Sequence, residues 1–371
     1  MGKILYTILD WGLGHTTRSI PLIRYLQSLG FEVIVAGTPT QVQTLQAECP
    51  GIYIESLRGH SVRLGRSRSL TQLSLLVQLP KWLWGILCEY YAVQRLVHRL
   101  QPVLLVSDNR YGCYSKTIPS VLITHQLTLQ TGLGKWVDRL ANRLNCYLIG
   151  RFTQCWVPDE NSQDNLAGML SRKQDRLNIP TLYLGGLSRF QACADDLSNK
   201  SGCLVILSGP EPQRSQLEQK ILLQSREGQH PLTLIRGVPL NSTMPNVSAS
   251  VKIFNRLDTT ALQSLCCQAN YVISRSGYSS LMDYARLGCR PILIPTPGQA
   301  EQEYLAKYFA SRKWGLQILQ EEFHLGSALE LADRFPFQHP ALRLDQYPQV
   351  VQAGLSLMNL LPLAELSLPK N

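Results

Sequence analysis

A turn rich in serine and glycine offers the chemistry of anion binding. It runs from Ser276 through Gly277 and Tyr278 to Ser279, between a short apolar run and a stretch with apolar residues at helical spacing. The first backbone N–H groups of a helix lack partners within the helix, so they can hold an anion such as a diphosphate. Gly277 lets a ligand approach the backbone closely. The turn predicts a phosphate site, although an ordinary Ser-Gly helix start has the same sequence.

Three polar side chains near this turn could bind the hydroxyl groups of a sugar. Asp283 lies one turn into the predicted helix 279–287, and Glu301 and Gln302 follow a second apolar run at 291–294. Their carboxylate and amide groups supply acceptors and donors for hydroxyl groups. The pattern predicts a strand–helix–strand unit, and ligands of open α/β sheets bind at the carboxyl ends of the strands.

This stretch resembles the donor half of the nucleotide-sugar transferases of glycosyltransferase family 28. That family includes the lipid II-forming N-acetylglucosaminyltransferases, and its Ser-x-Ser-Gly turn, here 274–277 with Arg275 inside it, holds the donor diphosphate. The resemblance implies that Asp283, where the family usually has Glu, binds the ribose, and that Glu301 and Gln302 bind the sugar. The motif covers about a tenth of the chain, in a demanding order and spacing.

The resemblance implies an α/β fold with two Rossmann-like domains that face a cleft, which is the GT-B architecture. A length of 371 residues suits two domains. We place an acceptor-binding domain at 1–190 and a nucleotide-sugar-binding domain at 191–371, because Gly and polar residues cluster at 185–202. By analogy with the family, a last helix near 350–360 crosses back to the first domain.

His15 is the candidate general base in the first domain. It follows the predicted strand 4–9 and a Gly-Leu-Gly turn, and we predict a helix from Thr16. A lone histidine is more often structural, but the first strand of family 28 ends in a Gly-rich loop that closes with Gly-His and faces the donor. Gly14 and His15 match that ending, so the resemblance favours catalysis by His15 and adds Gly14 to the donor contacts.

Three more candidates follow later strands of the first domain. Asp108, after the predicted strand 103–107, could orient His15 or contact the acceptor, and a turn-capping role is an equal alternative. His125 and Gln126 follow the next predicted strand, and the family has a similar His-x-Gln element in its acceptor region. The resemblance therefore makes His125 and Gln126 candidate acceptor contacts.

Two loops of the second domain complete the donor candidates. In the family, the loop after the first strand of this domain touches the donor phosphates, and Ser208, Gly209 and Arg214 match that role. A Pro-Glu-Pro segment replaces the usual Gly-Gly-Ser pattern there. The segment from Phe254 to Leu257 stands where the family binds the base.

Charge is uneven along the chain, whose net charge is +10. Residues 1–190 carry 20 Lys and Arg against 11 Asp and Glu, while 191–371 carry 16 against 15. The basic half favours an anionic partner, and the aromatic, basic segments 80–99 and 135–151 match a membrane-interface surface as well as they match core-packed helices. No nucleic-acid motif accompanies the charge. We expect no nucleic-acid partner and a cytoplasmic enzyme, with peripheral attachment to the inner face of the cytoplasmic membrane as an open alternative.

The cysteines and the N-terminus bear on the compartment and on metals. Ten cysteines are scattered without metal-ligand spacing, so we expect reduced, mostly buried thiols and no bound metal. The N-terminus runs straight into a predicted strand, so we expect no signal peptide.

The function expected from these residues is inverting transfer of a sugar from a nucleotide sugar, with uridine diphosphate as its carrier. The nucleotide sugar is a substrate, so no cofactor is implied. The acceptor is not identified, and a lipid-linked or cell-envelope glycan is one class that the resemblance allows. Two alternatives stay open: a nucleotide-sugar 2-epimerase of the same fold, and a protein that binds nucleotide sugars without catalysis.

Overall fold

The computed structural model describes most of the chain. The residues it describes are 2–58, 68–193, 200–226, 231–248, 250–341, 343 and 345–362, with the side chains of Thr40 and 68–76 left out. They divide into two compact units. One takes in the described parts of 1–61, 78–188 and 342–371, and the other those of 62–77 and 189–341.

The first unit is built on a parallel sheet. In the part of the chain that the structure describes, seven strands lie in the order β3-β2-β1-β4-β5-β6-β7. The elements of residues 3–183 are β1 (Lys3–Ile8), α1 (Leu13–Ser28), β2 (Glu32–Gly37), α2 (Pro39–Glu48), β3 (Tyr53–Ser56), α3 (Arg68–Leu100), β4 (Leu104–Asp108), β5 (Ser120–Ile123), α4 (Lys135–Ile149), β6 (Gln154–Val157), a 3-10 helix (Gly168–Ser171) and β7 (Thr181–Tyr183). The inner strands β1, β2, β4, β5 and β6 are buried almost throughout, as expected of a parallel sheet whose faces are covered by helices.

The second unit repeats this plan with six described strands in the order β10-β9-β8-β11-β12-β13. The elements of residues 203–357 are β8 (Cys203–Ile206), α5 (Gln213–Gln224), β9 (Leu232–Ile235), β10 (Val251–Phe254), α6 (Thr259–Gln268), β11 (Tyr271–Ser274), α7 (Tyr278–Leu287), β12 (Pro291–Leu293), α8 (Ala300–Ser311), β13 (Leu316–Gln317), α9 (Leu325–Arg334) and α10 (Tyr347–Leu357). The strands pair in parallel throughout, which is the Rossmann-like arrangement.

Several expectations about the elements need correction. The first helix begins at Leu13 instead of Thr16, so Gly14 and His15 lie in its first turn and only Gly12, with φ 100°, precedes it. For the segment 80–99, the sequence also predicts that Pro80 divides the helical stretch 70–100, but Pro80 lies inside the continuous helix α3. The expectation that all cysteines are reduced is wrong for Cys193 and Cys267, which form a disulfide with a Cα–Cα distance of 5.7 Å because the fold brings α6 beside residue 193.

The helix α10 belongs to the first unit and packs on its sheet, although it follows the strands of the second unit in the chain. The Gln154 side chain of β6 donates its amide to the Gly354 carbonyl at 3.0 Å and accepts from the Trp156 indole at 2.9 Å. A Cβ at Gly354 would lie 3.0 Å from Gln154, Trp156 and Leu182 atoms. Glycine at this position therefore permits the close contact between helix and strands.

We predict that Gly354→Val lowers the free energy of unfolding of the first unit by about 1–3 kcal/mol, the range for overpacking a filled interface. Chemical denaturation followed by tryptophan fluorescence measures it. Leu357→Ala, at an exposed position of the same helix, should change stability by less than about 0.5 kcal/mol. Equal stability of Gly354→Val and the wild type would contradict the docking of α10.

Candidate active site

The register of the second sheet brings the donor candidates to one edge. Ser274 of β11 lies opposite Ile206 of β8 and Leu293 of β12, and Phe254 of β10 lies opposite Ile235 of β9. Because these strands are parallel, the loops after them leave the same edge of the sheet. Apart from Gly14, which lies in α1, the predicted donor residues lie at the end of β10, in the loops 207–212, 255–258, 275–277 and 294–299, or in the first two turns of the helices that follow.

The turn before α7 has the geometry expected of an anion site. Gly277 occupies the N-cap with φ −70° and ψ 136°, and no side chain caps the helix. A Cβ added to Gly277 would meet nothing within 4 Å, so the space beside this backbone is open. Ser276 donates its hydroxyl to the Gln302 carbonyl at 2.7 Å, which ties the turn to α8. The turn can therefore offer backbone N–H groups, with the Ser276 hydroxyl already engaged.

The neighbouring side chains of α7 are placed differently from one another. Tyr278 is buried, Ser279 is half-buried in the first turn, and Asp283 is half-buried one turn later. Asp283 thus shares the helix whose N-terminus forms the turn, as the sequence predicts. Its contact with a ribose stays a prediction.

The loop before α8 is held by two side chains of that helix. Gln302 accepts a hydrogen bond from the Thr296 backbone N–H at 2.9 Å, and Glu303 accepts one from Gly298 at 2.8 Å. With its oxygen engaged, Gln302 has its amide N–H groups to offer a sugar. Glu301 is half-buried beside it, in the first turn of α8.

Arg275 lies under these loops instead of facing the open site. Its buried guanidinium donates to the carbonyls of Ile294 at 3.1 Å, Pro295 at 3.3 Å and Gln213 at 2.7 Å. Burial lowers the pKa of Arg275 to about 10, so the side chain keeps its charge at neutral pH. Among the described residues, no carboxylate pairs with it. Arg275 therefore joins three loops of the donor edge, a role that the sequence prediction of a donor contact missed.

Arg214 is also engaged by the protein. Its guanidinium pairs with Glu211 at 2.6 Å and with Glu218 at 2.7 Å, and Glu218 also binds Arg236. These bonds hold the Arg214 guanidinium against one carboxylate just before α5 and one within α5. Ser208 and Gly209 remain exposed in the preceding loop, where Gly209 adopts φ 95°.

The proposed base-binding segment follows β10. Phe254 is 37% exposed and Leu257 is half-buried. Between them, Asn255 donates its amide to the Leu240 carbonyl at 3.0 Å and the Ser242 carbonyl at 2.6 Å. These bonds fix the backbone of a loop that the prediction assigns to the base.

In the first unit, parallel pairing brings His15 and Asp108 together. Ile8 of β1 lies opposite Asp108 of β4, and α1 begins shortly after β1. The His15 Nδ1 atom lies 2.8 Å from Asp108 Oδ1. This contact is the one that orientation of His15 by Asp108 requires, and the catalytic roles of both residues stay predictions.

Two residues that sequence reasoning did not assign to the site complete this cluster. Arg18 donates Nε to Asp108 Oδ2 at 2.9 Å and a terminal nitrogen to Oδ1. The Ser19 hydroxyl lies 3.1 Å from Oδ2 and 2.8 Å from the His15 backbone carbonyl, so its one proton is shared between two acceptors. The sequence contained one clue to these two residues, their spacing. Residues three and four positions after His15 lie on the same side of a helix as His15.

These contacts shift the pKa values of both catalytic candidates. Burial by itself would raise the pKa of Asp108, but Arg18 and His15 outweigh it and hold that pKa well below its ordinary value. Burial, with repulsion from Arg18, lowers the pKa of His15, although Asp108 opposes the shift. An ionised Asp108 only accepts hydrogen bonds, so it accepts from His15 Nδ1–H and leaves Nε2 as the basic nitrogen.

The acceptor candidates lie at the same edge of the first sheet. Asp108 is opposite Ile123 of β5, and His125 follows two residues later in a buried position. His125 is close enough to lower the pKa of His15 by repulsion. Gln126 is half-buried, and its carbonyl accepts from Asn145 at 2.8 Å.

Comparison with known proteins agrees with this architecture. Residues 197–333 match the glycosyltransferase family 28 C-terminal domain. The chain is 22% identical over 355 residues to a UDP-N-acetylglucosamine--N-acetylmuramyl-(pentapeptide) pyrophosphoryl-undecaprenol N-acetylglucosamine transferase of Pasteurella multocida (strain Pm70), with 89% of each chain covered. It is 29% identical over 176 residues to the transferase of the same name from Rickettsia typhi (strain ATCC VR-144 / Wilmington), with 47% of this chain and 41% of that one covered.

Solved structures share the fold at low sequence identity. The calicheamicin glycosyltransferase CalG4 aligns with a TM-score of 0.61 at 12% identity, covering 90% of this chain and 89% of that one. The spinosyn rhamnosyltransferase SpnG complexed with thymidine diphosphate aligns with a TM-score of 0.57 at 15% identity, covering 92% and 98%. The two Rossmann-like units thus define a glycosyltransferase of GT-B architecture. Over residues 197–333, the chain belongs to glycosyltransferase family 28.

The described part of the chain lacks both membrane-spanning helices and clusters of metal ligands. No helix there has the length and apolar character needed to cross a membrane. No cluster of three or more His, Cys, Asp or Glu side chains there could hold a metal ion. The expectation of metal-independent catalysis without a cofactor stays a prediction.

We predict that Arg275→Met weakens the binding of uridine diphosphate by about 1.5–3 kcal/mol, the range for hydrogen bonds that involve a charged group. The loops that Arg275 joins would lose their common support. Titration calorimetry on the full chain measures the affinity. Arg290→Gln, at an exposed site after α7, is the matched control and should bind as the wild type does. Wild-type affinity in Arg275→Met would show that the loops hold their shape without it.

Proposed function

We propose that this chain transfers a sugar from a uridine diphosphate sugar to an acceptor hydroxyl with inversion at the anomeric carbon. The donor is held by the second unit, and the acceptor is held by the first. A lipid-linked acceptor is the class that the named relatives favour, because their names pair the N-acetylglucosamine donor with an N-acetylmuramyl-(pentapeptide) pyrophosphoryl-undecaprenol.

One observation carries the donor assignment. The helix α7 begins after β11, at the edge where the loops of Gly209 and Gly277 are open, and no side chain caps this helix. Helix N-termini present unpaired N–H groups and a partial positive charge, which together suit a diphosphate. The buried charge of Arg275 lies under the same loops and adds to that potential. These features support stabilisation of the leaving nucleoside diphosphate without a metal.

The His15–Asp108 pair supports the transfer step. The acceptor oxygen forms a bond to the anomeric carbon on the face opposite the diphosphate, and the bond between that carbon and the diphosphate oxygen breaks. The hydroxyl proton passes to His15 Nε2, while Nδ1–H stays bound to Asp108. The electron pair of the broken bond leaves with the nucleoside diphosphate. Attack from the opposite face inverts the configuration.

The rival functions are open to a direct assay. Incubation with UDP-N-acetylglucosamine, UDP-glucose or UDP-galactose without acceptor should give at most slow hydrolysis. Conversion of one nucleotide sugar into its 2-epimer would support the epimerase. Binding without any turnover, even when a lipid extract is supplied as acceptor, would support a protein that binds nucleotide sugars only.

The surface of the first unit supports attachment to an anionic membrane. On α4, Trp136 is 81% exposed and Leu140 is 71% exposed, and the Arg139 guanidinium lies 5.3 Å from the Trp136 ring centre. On α3, Trp84 and Tyr91 are exposed. Exposed aromatic side chains beside basic groups suit the membrane interface. We propose a cytoplasmic enzyme that binds the inner face of the membrane peripherally.

We predict that Asp283→Ala weakens the binding of uridine diphosphate by about 1.5–3 kcal/mol, because the ribose loses a charged acceptor. Titration calorimetry tests it. The control is Asp333→Ala, which removes an exposed carboxylate bound to Tyr271 at the start of β11, opposite the donor edge. Equal affinity in Asp283→Ala and the wild type would remove Asp283 from the donor site.

His15→Ala should reduce transfer from UDP-N-acetylglucosamine or another active donor by about 10²–10⁴-fold, the usual worth of a positioned base. Affinity for uridine diphosphate should stay, and His15→Asn should not restore transfer because an amide cannot take the proton. In the wild type, kcat/KM should be level at neutral pH and should fall only below pH about 6.5, since the pKa of the base is lowered. Near-normal transfer by His15→Ala would end the assignment.

Vesicles of phosphatidylglycerol and phosphatidylcholine should bind the protein in co-sedimentation at low salt and release it at high salt. Each basic group near the surface is worth only about 1 kcal/mol and is screened. Trp136→Ala with Leu140→Ala should weaken binding. Leu240→Ala, at an exposed apolar position of the second unit, is the control and should not. Absence of vesicle binding by the wild type would point to a soluble acceptor.

A further inference from the structure

Arg18 is a buried cation, and the proposed reaction gives it no contact with either substrate. Its side chain is 2% exposed and its partner Asp108 is 1% exposed. Residues three apart on a helix lie on the same side, so His15 and Arg18 of α1 both reach the end of β4. The two side chains share one carboxylate, which is the base's own partner.

We propose that Arg18 is a positioning residue of the transfer reaction, because its guanidinium fixes the Asp108 carboxylate in the orientation that receives His15 Nδ1–H. The inference rests on the proposed role of His15 as the base. Arg18 acts through Asp108 and touches no reacting atom.

The geometry explains why arginine is suited to this position. Nε binds Oδ2 at 2.9 Å while a terminal nitrogen binds Oδ1, so two parallel bonds fix the plane of the carboxylate. The Ser19 hydroxyl also lies 3.1 Å from Oδ2, but it is closer to the His15 carbonyl, at 2.8 Å, so Arg18 supplies the main constraint on the carboxylate. Oδ1 then faces His15 at 2.8 Å. A lysine would bring a point charge without this two-bond constraint.

Charge balance gives Arg18 a second effect on His15. An ion pair between Asp108 and His15 alone would stabilise the imidazolium, which is the form that cannot accept a proton. Arg18 neutralises Asp108 and repels a proton on His15. The other titratable groups that face the cluster are His125 after β5, which also repels that proton, and the buried Tyr6 hydroxyl of β1, whose pKa burial and Asp108 raise. Arg18 therefore keeps Nε2 available at neutral pH.

Histidine-selective NMR of the full chain tests the proposal without any substrate. Protein labelled with ¹³C and ¹⁵N in its histidines is titrated with acid, and the His15 signals are assigned by their loss in His15→Gln. In the wild type, the neutral ring should carry its proton on Nδ1. In Arg18→Gln, His15 should titrate at higher pH than in the wild type.

Two further variants separate the charge from the geometry. Arg24→Gln removes another arginine of α1, one that is half exposed and paired with Glu48, and it should titrate as the wild type does. Arg18→Lys keeps the charge, so the His15 titration should stay closer to that of the wild type while the neutral ring shifts toward the Nε2–H form. This variant also serves if Arg18→Gln fails to fold.

Three results would overturn the proposal: a wild-type ring protonated on Nε2, an unchanged titration in folded Arg18→Gln, or an unchanged tautomer in Arg18→Lys. Where a transfer assay is at hand, Arg18→Gln should lose about 10²-fold in kcat/KM at neutral pH, the cost of a misplaced reacting group. Failure of the wild type to transfer any sugar would reject the proposed function, while the NMR result would still decide whether Arg18 orients the ring.

Discussion

Parallel pairing of strands is the constraint on which the rest of this structure depends. It sends every loop that follows a strand to the same edge of its sheet, so residues far apart in the chain meet there. Asp108 reaches His15 because Ile8 and Asp108 are paired in register. In the second unit, Ile206 and Leu293 flank Ser274 by the same rule. As a consequence, many loop carbonyls and carboxylates lie near one another and need buried hydrogen-bond donors.

Buried arginines meet part of that need in both units, and Arg18 of the first unit differs in its partners from Arg275 of the second. Arg18 binds a carboxylate, so its charge is neutralised within the protein. Arg275 binds three backbone carbonyls, and no carboxylate of the described residues pairs with it. A buried charge of this kind favours an anion nearby, because a charge left alone in a low-dielectric site is costly. The difference agrees with an acid–base site in the first unit and a diphosphate site in the second.

The sequence was sufficient to predict the GT-B fold and most of the elements near the site. Short apolar runs predicted β1, β4 and β12 to within one residue at either end. The α6 and α9 helices and the short β13 were not predicted, because their positions depend on packing against the second sheet. Sequence spacing also could not show that Arg275 faces carbonyls, since the direction of a side chain in a turn depends on which loops surround it.

The cluster at His15 shows the same limit of prediction from the sequence, here in the first unit. The resemblance pointed to His15, and the end of a strand pointed to Asp108, yet the arginine between them had no motif. Its role depends on the register of two strands that lie about a hundred residues apart in the chain. Such a residue becomes visible only when the partners of a buried carboxylate are known.

Binding of a nucleoside diphosphate to the open edge of the second unit is the central claim, and a thermal-shift titration measures it most directly. The full chain would be heated with UDP, ADP, GDP or thymidine diphosphate and with the matching monophosphates. UDP should raise the unfolding midpoint most, and each diphosphate should raise it more than its monophosphate does. The expected stabilisation is about 2.7 kcal/mol at a hundredfold excess over Kd. No stabilisation by any diphosphate, or equal stabilisation by UMP and UDP, would contradict it.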